Sequence, residues 1–347
     1  MTSSSLQDAI DSFDPSRGYL AAASVGLPPR QTVEALRGDL ARWSAADINP
    51  QDYDAFVERS RASFGRIVGV PADRIAQGSQ TSVLTSLIAG AVPDGAEVLL
   101  PDGDFSSIVF PFLQRAGVRT RSVPLESLAE SLSDETWLVA FSLVQSASGV
   151  VADVAAILES AERHNAYTFC DLTQAAGVLP VDASVFDVTV CHTYKWLCVP
   201  RGVAFLTLSP RFETLVTPVQ AGWYAGDNVW TSTYGPAMEL ATDVRRFDVS
   251  TAWHSWVGAE QSLALFAGLE IPEVWELTSG LGDALCDALG IPQQHQVIVT
   301  WPDATGTDLA KLRAAGVRAA GRAGRLRASF HLWNDEADVD LVANALR

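Results

Sequence analysis

The chain contains 347 residues, of which 48% are hydrophobic and 19% are charged, a composition typical of a globular protein with room for two or three domains. Its formal net charge of −17 argues against nucleic acid or an anionic membrane as a partner, because both bind clustered cations. The N-terminus has no signal-peptide pattern, no apolar run approaches the roughly 20 residues of a membrane span, and the four cysteines lack paired spacing, so we expect a cytoplasmic protein without disulfides.

Through the first two-thirds of the chain, short apolar strands alternate with helices. Helices are predicted over 53–68, 78–92, 107–117 and 151–166, the third with Pro111 in its first turn. Strands are predicted over 97–100, 119–123, 136–144, 167–171, 187–191 and 203–209. This alternation predicts an α/β fold with a mostly parallel sheet covered by helices on both faces.

After about residue 250 the pattern changes to that of a smaller α+β unit. Helices are predicted over 253–269, 272–290, 307–315 and 334–346, and strands over 296–300, 317–320 and 325–330. The first 50 residues contain no strong strand, and we expect them to pack against this second unit. The predicted organisation is an N-terminal segment (1–50), a large domain (51–250) and a small C-terminal domain (251–347).

Lysine is unusually rare, with two lysines among the 24 basic residues. Arginine replaces lysine easily on a solvated surface, but it cannot act as a neutral amine nucleophile. Lys311 falls on the polar face of a predicted helix. Lys195, in CHTYKWLCVPRG, lies between an apolar strand and a Pro/Gly turn, where a solvent-exposed lysine without a function is not expected. Lys195 is therefore the candidate for amine chemistry.

Polar side chains follow two consecutive strands of the predicted sheet. Asp171 ends the strand YTFCD, and Gln174 comes one turn later. The next strand, DVTVC, is followed by His192, Tyr194 and Lys195. Ligands of open parallel sheets bind beyond the carboxyl ends of the strands, so we expect an acid and a lysine to share one crevice.

A third component is the predicted helix start GSQTS. Its free backbone amides, the Gln80 amide and the hydroxyls of Thr81 and Ser82 suit a phosphate group. A lysine, a carboxylate and a phosphate cradle are the three groups that pyridoxal phosphate requires. The carboxylate keeps the ring nitrogen protonated, and a partly desolvated site makes neutral lysine available for proton transfer.

Other catalytic and metal-binding patterns are missing from the sequence. It contains no phosphate-loop signature, no paired-cysteine or two-histidine zinc motif and no serine nucleophile elbow, so no metal is expected. Each candidate also has a structural interpretation when it is taken alone. Asp171 could cap a helix, GSQTS could be an ordinary helix start, and His192 could be a hydrogen-bonded core residue. Their combination at neighbouring strand ends favours the functional interpretation.

The stretch FCDLTQAAGVLPVDASVFDVTVCHTYKWLCVPRGVAFLTL (169–208) resembles the class V aminotransferase family of fold-type I pyridoxal-phosphate enzymes, which includes cysteine desulfurases and kynureninases. Its aspartate, glutamine, Pro-x-Asp, strand, lysine and Pro-x-Gly follow in the family's order and spacing. A weaker resemblance extends from YLAAASVGLPP (19–29) to RASFHLWNDEADVDLV (327–342). The resemblance implies a fold-type I transferase with a large and a small domain.

By this resemblance, Lys195 would hold the cofactor, Asp171 would pair with its ring nitrogen and Gln174 would contact its ring oxygen. Phe105 occupies the position of the residue that stacks on the ring. The residues that would bind the phosphate are Gln80, Thr81, His192 and Tyr194.

Three further positions carry expectations about substrate and partner. Thr251 matches a residue that reaches the phosphate of a partner subunit, which implies a homodimer with shared active sites. Arg327 matches the arginine that holds the substrate carboxylate, and Ser146 stands near the substrate where the family often has asparagine. The neighbouring arginines that compete for the carboxylate are Arg318, Arg322 and Arg325.

The resemblance implies an enzyme that acts on an amino acid, with transamination as the expected reaction. The alternatives are a lyase that cuts a C–S or C–C bond, as in kynureninase-like and cysteine lyase-like members, and an inactive or regulatory relative, which the Asp171–Lys195 pair argues against. Desulfuration is less favoured, because 316–324 lacks the cysteine that desulfurases carry there and because Phe105 stands where many desulfurases have histidine. Kynureninases usually have histidine where Gln174 stands.

Overall fold

The computed structural model describes residues 3–14, 16–236 and 238–347. Its helices are α1 (Ser4–Asp11), α2 (Arg30–Ser44), α3 (Asp54–Val68), α4 (Thr81–Ala91), α5 (Ser106–Gln114), α6 (Val154–Arg163), α7 (Pro210–Glu213), α8 (Trp253–Ala267), α9 (Ile271–Leu289), α10 (Thr307–Ala314) and α11 (Glu336–Leu346). Its strands are β1 (Ile75–Gly78), β2 (Glu97–Pro101), β3 (Arg119–Val123), β4 (Thr136–Ser142), β5 (Tyr167–Asp171), β6 (Val188–His192), β7 (Ala204–Leu208), β8 (Ile298–Pro302), β9 (Ala320–Arg322) and β10 (Arg325–Ser329).

The larger sheet has seven strands in the order β1-β7-β6-β5-β4-β2-β3. β7 pairs antiparallel with both β1 and β6, and the remaining neighbours pair in parallel. Neighbouring residues of β5 enter two different hydrophobic clusters, Phe169 one and Cys170 the other, so the sheet is buried on both faces. The predicted mostly parallel sheet covered by helices is confirmed.

The smaller sheet is antiparallel, in the order β8-β10-β9, and α9 and α11 pack beside it. Its hydrophobic cluster includes Leu285, Val299 and Leu326, together with Leu20 of the N-terminal segment. The same segment also contributes α2, which packs against α8, and α8 in turn packs against α3. The N-terminal residues therefore pack both on the smaller sheet and on the helices beside the larger sheet. The domain boundaries at residues 50 and 250 stay a prediction.

Two local features differ from the sequence prediction. Pro111 is the sixth residue of α5 rather than a first-turn residue. A proline at this position removes one donor to the carbonyl of Ser107, and both residues are only partly buried, so water can solvate that carbonyl. The strand expected over 317–320 is displaced to β9, because Arg318 pairs with Tyr19 of the N-terminal segment instead.

Within residues 3–14, 16–236 and 238–347, no helix is long and apolar enough to cross a membrane. The same described ranges contain no group of three or more histidine, cysteine or acidic side chains placed to hold a metal ion. All four cysteines are free, and their thiols are shielded from solvent by burial. These are Cys170, Cys191, Cys198 and Cys286.

A buried ion pair holds the edge strand β1. Arg61 of α3 and Asp248 are both almost fully buried, with 2.7 Å between Nη2 and Oδ2. Asp248 Oδ1 also accepts the backbone N–H of Gln77 on β1 at 2.8 Å, and Arg61 Nη1 donates to the carbonyl of Ile75. The pair therefore joins α3 and β1 to the segment that leads to Thr251.

Replacing Arg61 by methionine would leave the Asp248 carboxylate buried without a counter-charge. We expect Arg61→Met to lower the free energy of unfolding by about 3–5 kcal/mol, measured by denaturant titration. Arg163→Met is the control, because Arg163 pairs with Glu159 on an exposed helix face and its loss should cost less than about 1 kcal/mol. Equal losses in the two variants would contradict a structural role for the buried pair.

Candidate active site

A cavity of about 140 Å³ lies where β4, β5 and β6 end and α4 begins. The structure brings ten of the predicted site residues to its wall: Gln80, Thr81, Ser82, Phe105, Ser146, Asp171, Gln174, His192, Tyr194 and Lys195. Two others are not on the wall: Arg327 reaches it through a contact with Ser146, and Thr251 follows the segment held by Asp248. The expected crevice at the carboxyl ends of the strands is therefore present.

Asp171 is the acid of this cavity. It ends β5, paired with Ser142 of β4 and Val190 of β6 in the sheet. Its side chain is buried, and Oδ1 accepts the N–H of Thr173 at 2.8 Å. Burial raises the pKa of Asp171 to about 6, although the Thr173 hydrogen bond and the charge of Lys195 act in the opposite direction. An acid in this position can hold a proton on a neighbouring base.

Lys195 is the amine of the cavity and lies three residues beyond the end of β6. Burial lowers the pKa of Lys195 to about 8, and the charge of Asp171 offsets part of this shift. Nζ lies 5.2 Å from the centre of the Phe105 ring and 5.7 Å from that of Tyr194. At pH 7 about one tenth of an amine with this pKa is neutral, far more than for an ordinary lysine.

The end of the cavity beside α4 carries neutral hydrogen-bonding groups. Gln80 is the residue before the first turn of α4, and its side chain does not cap the helix. Among the described residues, the first-turn amides therefore have no side-chain acceptor. The hydroxyl of Thr81 lies 3.4 Å from that of Thr173. His192 Nε2 is buried and has no hydrogen-bond partner among the residues that the structure describes. A helix start with an unpartnered imidazole nitrogen fits an anion such as a phosphate.

Gln174, Ser146 and Arg327 form a hydrogen-bonded chain beside the cavity. Gln174 Nε2 donates to the hydroxyl of Ser146 at 3.1 Å and to the carbonyl of Ala23 at 3.0 Å. Arg327 Nη1 donates to the same Ser146 hydroxyl at 3.1 Å, and Nη2 donates to the hydroxyl of Ser24 at 2.8 Å. The smaller sheet and the N-terminal segment thus meet the large sheet at Ser146.

Phe105 stands at the start of α5 and is 43% exposed. The preceding Asp104 fixes its position against β4, because its carboxylate accepts the N–H and hydroxyl of Ser142 at 2.7 and 2.6 Å. Gln145 Nε2 donates to the same carboxylate at 3.2 Å. The aromatic ring is therefore held over Lys195 from the end of β4.

Sequence reasoning missed four residues that line the cavity: Ser107, Ser142, Thr173 and Arg201. Thr173 lies between two predicted residues in DLTQ, so its position alone could have indicated it. Ser142 lies inside the predicted strand 136–144, whereas the observed β4 ends at Ser142 and so brings it to the cavity. Ser107 follows Phe105 by two residues on α5. Arg201 is the middle residue of the Pro-x-Gly turn, where no sequence signal tells which way a side chain points.

The residues in this cavity fit pyridoxal phosphate. Lys195 would provide an amine for its aldehyde, Asp171 a carboxylate for its ring nitrogen, and Phe105 an apolar surface for its ring. The start of α4 and the unpartnered His192 Nε2 would provide the polar end for its phosphate. Each of the four parts of the cofactor, namely the aldehyde, the ring nitrogen, the ring and the phosphate, thus has a chemically matching group in the cavity.

Solved structures share the fold. The chain matches the cystine C–S lyase C-DES, solved with its reaction product cysteine persulfide, with a TM-score of 0.84 and 20% identity over 95% of this chain and 97% of that one. It matches the cysteine desulfurase CsdA of Escherichia coli with a TM-score of 0.82 and 18% identity over 99% and 95% of the two chains. At these identities the likeness concerns the fold, and it confirms the fold-type I prediction.

Sequence comparisons identify the family. Isopenicillin N epimerase of Streptomyces clavuligerus is 26% identical over 96% of this chain and 95% of that protein. Kynureninase of Deinococcus radiodurans is 26% identical over 76% and 69% of the two chains. The family model described as "Aminotransferase class-V" matches residues 57–320, well over half of the chain. The chain therefore belongs to the class V aminotransferase family, and it is a pyridoxal-phosphate-dependent enzyme that acts on amino acids.

Proposed function

We propose that this enzyme transaminates an α-amino acid, with Lys195 as the base, Asp171 as the partner of the ring nitrogen and Arg327 as the anchor of the substrate carboxylate. The main support for this proposal is the environment of the Arg327 side chain. Its guanidinium is buried and has no carboxylate partner among the described residues. Burial, and then the charge of Arg322, lowers the pKa of Arg327 to about 10. A carboxylate would relieve this unfavourable burial, and every α-amino acid supplies one.

Pyridoxal phosphate, when bound, supplies an electron sink that weakens the bonds at the substrate Cα. Asp171 supports this role because an ionised carboxylate favours a protonated ring nitrogen. Its pKa of about 6 keeps it mostly ionised at pH 7, even though it is buried. Lys195 Nζ would take the proton from the substrate Cα and deliver it to the carbon of the cofactor aldehyde, a transfer that a lysine pKa of about 8 permits near neutral pH.

Arg327 orients the substrate in this proposal. Nη1 is held by Ser146 on the cavity wall and Nη2 by Ser24, so the guanidinium plane is fixed from two sides. A carboxylate paired with a fixed guanidinium cannot rotate freely, and this sets which Cα bond faces the base. Arg325, two residues earlier, donates to the hydroxyl of Thr300 at 3.0 Å and is less suited to the task.

Transamination needs one proton carrier on one side of the substrate, and Lys195 provides it. Phe105, assigned to the cofactor ring by resemblance, has no acid–base group, which argues against a reaction that exchanges protons on both sides. The second candidate is a C–S or C–C lyase. The likeness to a kynureninase and to the fold of a cystine C–S lyase favours this alternative, and both reactions use the same lysine and carboxylate anchor.

The proposal includes a cytoplasmic homodimer built from the three predicted parts, 1–50, 51–250 and 251–347. The support comes from the resemblance that assigns Thr251 to a partner's phosphate. Phe105 lines the cavity, and Phe110 and Leu113 follow it on α5; the three side chains are 43%, 58% and 49% exposed in the single chain. Large exposed apolar side chains on one helix are typical of a surface covered by a partner.

The decisive experiment gives the holoenzyme a panel of α-amino acids and follows the cofactor spectrum with the products. A keto acid that appears together with the aminated form of the cofactor supports transamination. Pyruvate released with ammonia, without amination of the cofactor, identifies a lyase and contradicts the proposal. No product from any amino acid, with the cofactor bound, identifies an inactive relative.

Lys195→Ala tests the covalent anchor. We expect this variant to lose the near-ultraviolet and visible band of lysine-bound cofactor, because no other amine lines the cavity among the described residues. Lys311→Ala is the control, since Lys311 is exposed and donates to the carbonyl of Leu346, and it should keep the band. For the unsubstituted apoprotein, the rate of band formation should rise as pH passes through about 8, because only the neutral amine reacts. A band that borohydride reduces in Lys195→Ala would exclude Lys195.

Arg327→Ala tests the carboxylate anchor. We expect kcat/KM for amino acids to fall by about thirtyfold to a thousandfold, equivalent to about 2–4 kcal/mol, because a charged hydrogen-bonding partner is lost. The resting cofactor spectrum should not change. Arg325→Ala is the matched control and should retain most activity. A normal kcat/KM in Arg327→Ala, with a loss in a variant of Arg318, Arg322 or Arg325, would transfer the role to that residue.

Incubation with cysteine tests whether this enzyme forms the protein persulfide that a desulfurase forms. We expect no persulfide on the protein during turnover, because all four cysteines are buried and burial raises the pKa of each thiol. Mass spectrometry after incubation with cysteine checks this, with Lys195→Ala as the blank. A persulfide found in the active protein and not in the blank would restore desulfuration: the sites to examine are Cys170, Cys191, Cys198 and Cys286.

A further inference from the structure

The phosphate end of the cavity has many hydrogen-bonding groups but little charge. Gln80, Thr81, Ser82 and Tyr194 are neutral at pH 7. Burial, then the nearby charges of Arg201 and Lys195, lowers the pKa of His192 to about 3, so its imidazole is neutral as well. A phosphate monoester carries about −1.5 to −2 charges at this pH, and a helix start supplies only about half a positive charge. The predicted phosphate residues therefore leave most of that charge unbalanced.

Two cations are among the residues that line the cavity, Lys195 and Arg201. Lys195 cannot balance the phosphate, because its amine is the group that binds the cofactor aldehyde. Arg201 lies beside the phosphate end, with its guanidinium carbon 4.7 Å from the centre of the Tyr194 ring. The Tyr194 ring in turn lies 4.4 Å from that of His192. His192, Tyr194 and Arg201 thus form a row of contacts on one wall of the cavity, with the His192 and Tyr194 rings edge to face at 62°.

The backbone of Arg201 is fixed while its guanidinium is available. Ser255 donates to the Arg201 carbonyl at 2.9 Å, and Gly202 completes the turn with a φ of +99°, a conformation that favours glycine. Among the described residues, the guanidinium has no ion pair and no hydrogen bond to a side chain. Arginine with its fork of donors matches phosphate oxygens in pairs, so this guanidinium is suited to an anion at the cavity rim.

We propose that Arg201 anchors the cofactor phosphate and supplies the charge that the neutral cradle lacks. The inference rests on the proposed function of this cavity as the cofactor site, and it adds a residue that the resemblance does not assign. Arg201 also disfavours protonation of His192 through its charge. The buried imidazole therefore stays neutral, so its unpartnered Nε2 can hydrogen-bond the phosphate while Arg201 supplies the positive charge.

The test compares two probes, pyridoxal phosphate and pyridoxal, which lacks the phosphate but binds the same lysine. Both are titrated into the apoprotein of the unsubstituted chain, Arg201→Gln, Arg201→Lys and Arg313→Gln, and binding is followed by absorbance. Arg201→Gln should weaken pyridoxal phosphate by at least about tenfold, the effect of one hydrogen bond to a charged group, and leave pyridoxal within about twofold. Arg201→Lys should recover part of the loss. Arg313→Gln, which removes a distant arginine of α10, should change neither probe.

Each other outcome has a definite meaning. An unchanged preference for pyridoxal phosphate in Arg201→Gln overturns the role of Arg201 and leaves the cofactor site intact. Equal weakening of both probes also overturns it, because the substitution then acts through Lys195 or the fold. If the unsubstituted protein itself shows no preference for pyridoxal phosphate over pyridoxal, the assignment of this end to the phosphate fails, and with it the proposed cofactor geometry.

Discussion

Burial of an acid and an amine at the ends of two adjacent parallel strands is the constraint on which the rest of the structure depends. β5 and β6 pair in parallel, so Asp171 and the turn that carries Lys195 emerge at the same edge of the sheet. Helices cover both faces, and water has little access to that edge. Burial therefore raises the pKa of Asp171 to about 6 and lowers that of Lys195 to about 8, so that both pKa values lie close to neutral pH. The hydrophobic strands that make the sheet stable also make the site reactive.

The turn that carries Lys195 is held by residues from distant parts of the chain. The N–H of Gly26 donates to the carbonyl of Tyr194 at 2.9 Å, and a Cβ at residue 26 would lie 2.0 Å from the carbonyl oxygen of Lys195, so only glycine allows this approach. On the other side, His331 Nε2 lies 2.8 Å from the carbonyl oxygen of Trp196. The N-terminal segment and the end of β10 thus fix the residues before and after the lysine, and the position of the amine depends on both.

Sequence patterns could predict most of the fold and the centre of the site, because both follow local rules. Asp171 and Lys195 were identifiable since strand ends of a parallel sheet share one edge. The choice of Arg327 over its neighbours needs tertiary structure: the four arginines look alike in sequence, but Arg327 is buried against Ser146 whereas Arg325 is engaged by Thr300. The direction of Arg201 depends on a glycine turn and a contact with α8, neither of which leaves a pattern in sequence.

The charges around the cavity connect ligand binding with stability. The chain carries a net charge of −17, yet Arg201 and Arg327 have no acidic partner among the described residues. The guanidinium of Arg327 is buried at a desolvation cost that a carboxylate would offset, and Arg201 lines the neighbouring cavity. In the proposed function, the cofactor phosphate would pair with Arg201 and the substrate carboxylate with Arg327. Because such ligands bind the folded chain and not the unfolded one, their binding free energy adds to its stability. If the two arginines bind these ligands as proposed, their unpaired charges lower the stability of the free protein, and ligand binding restores it.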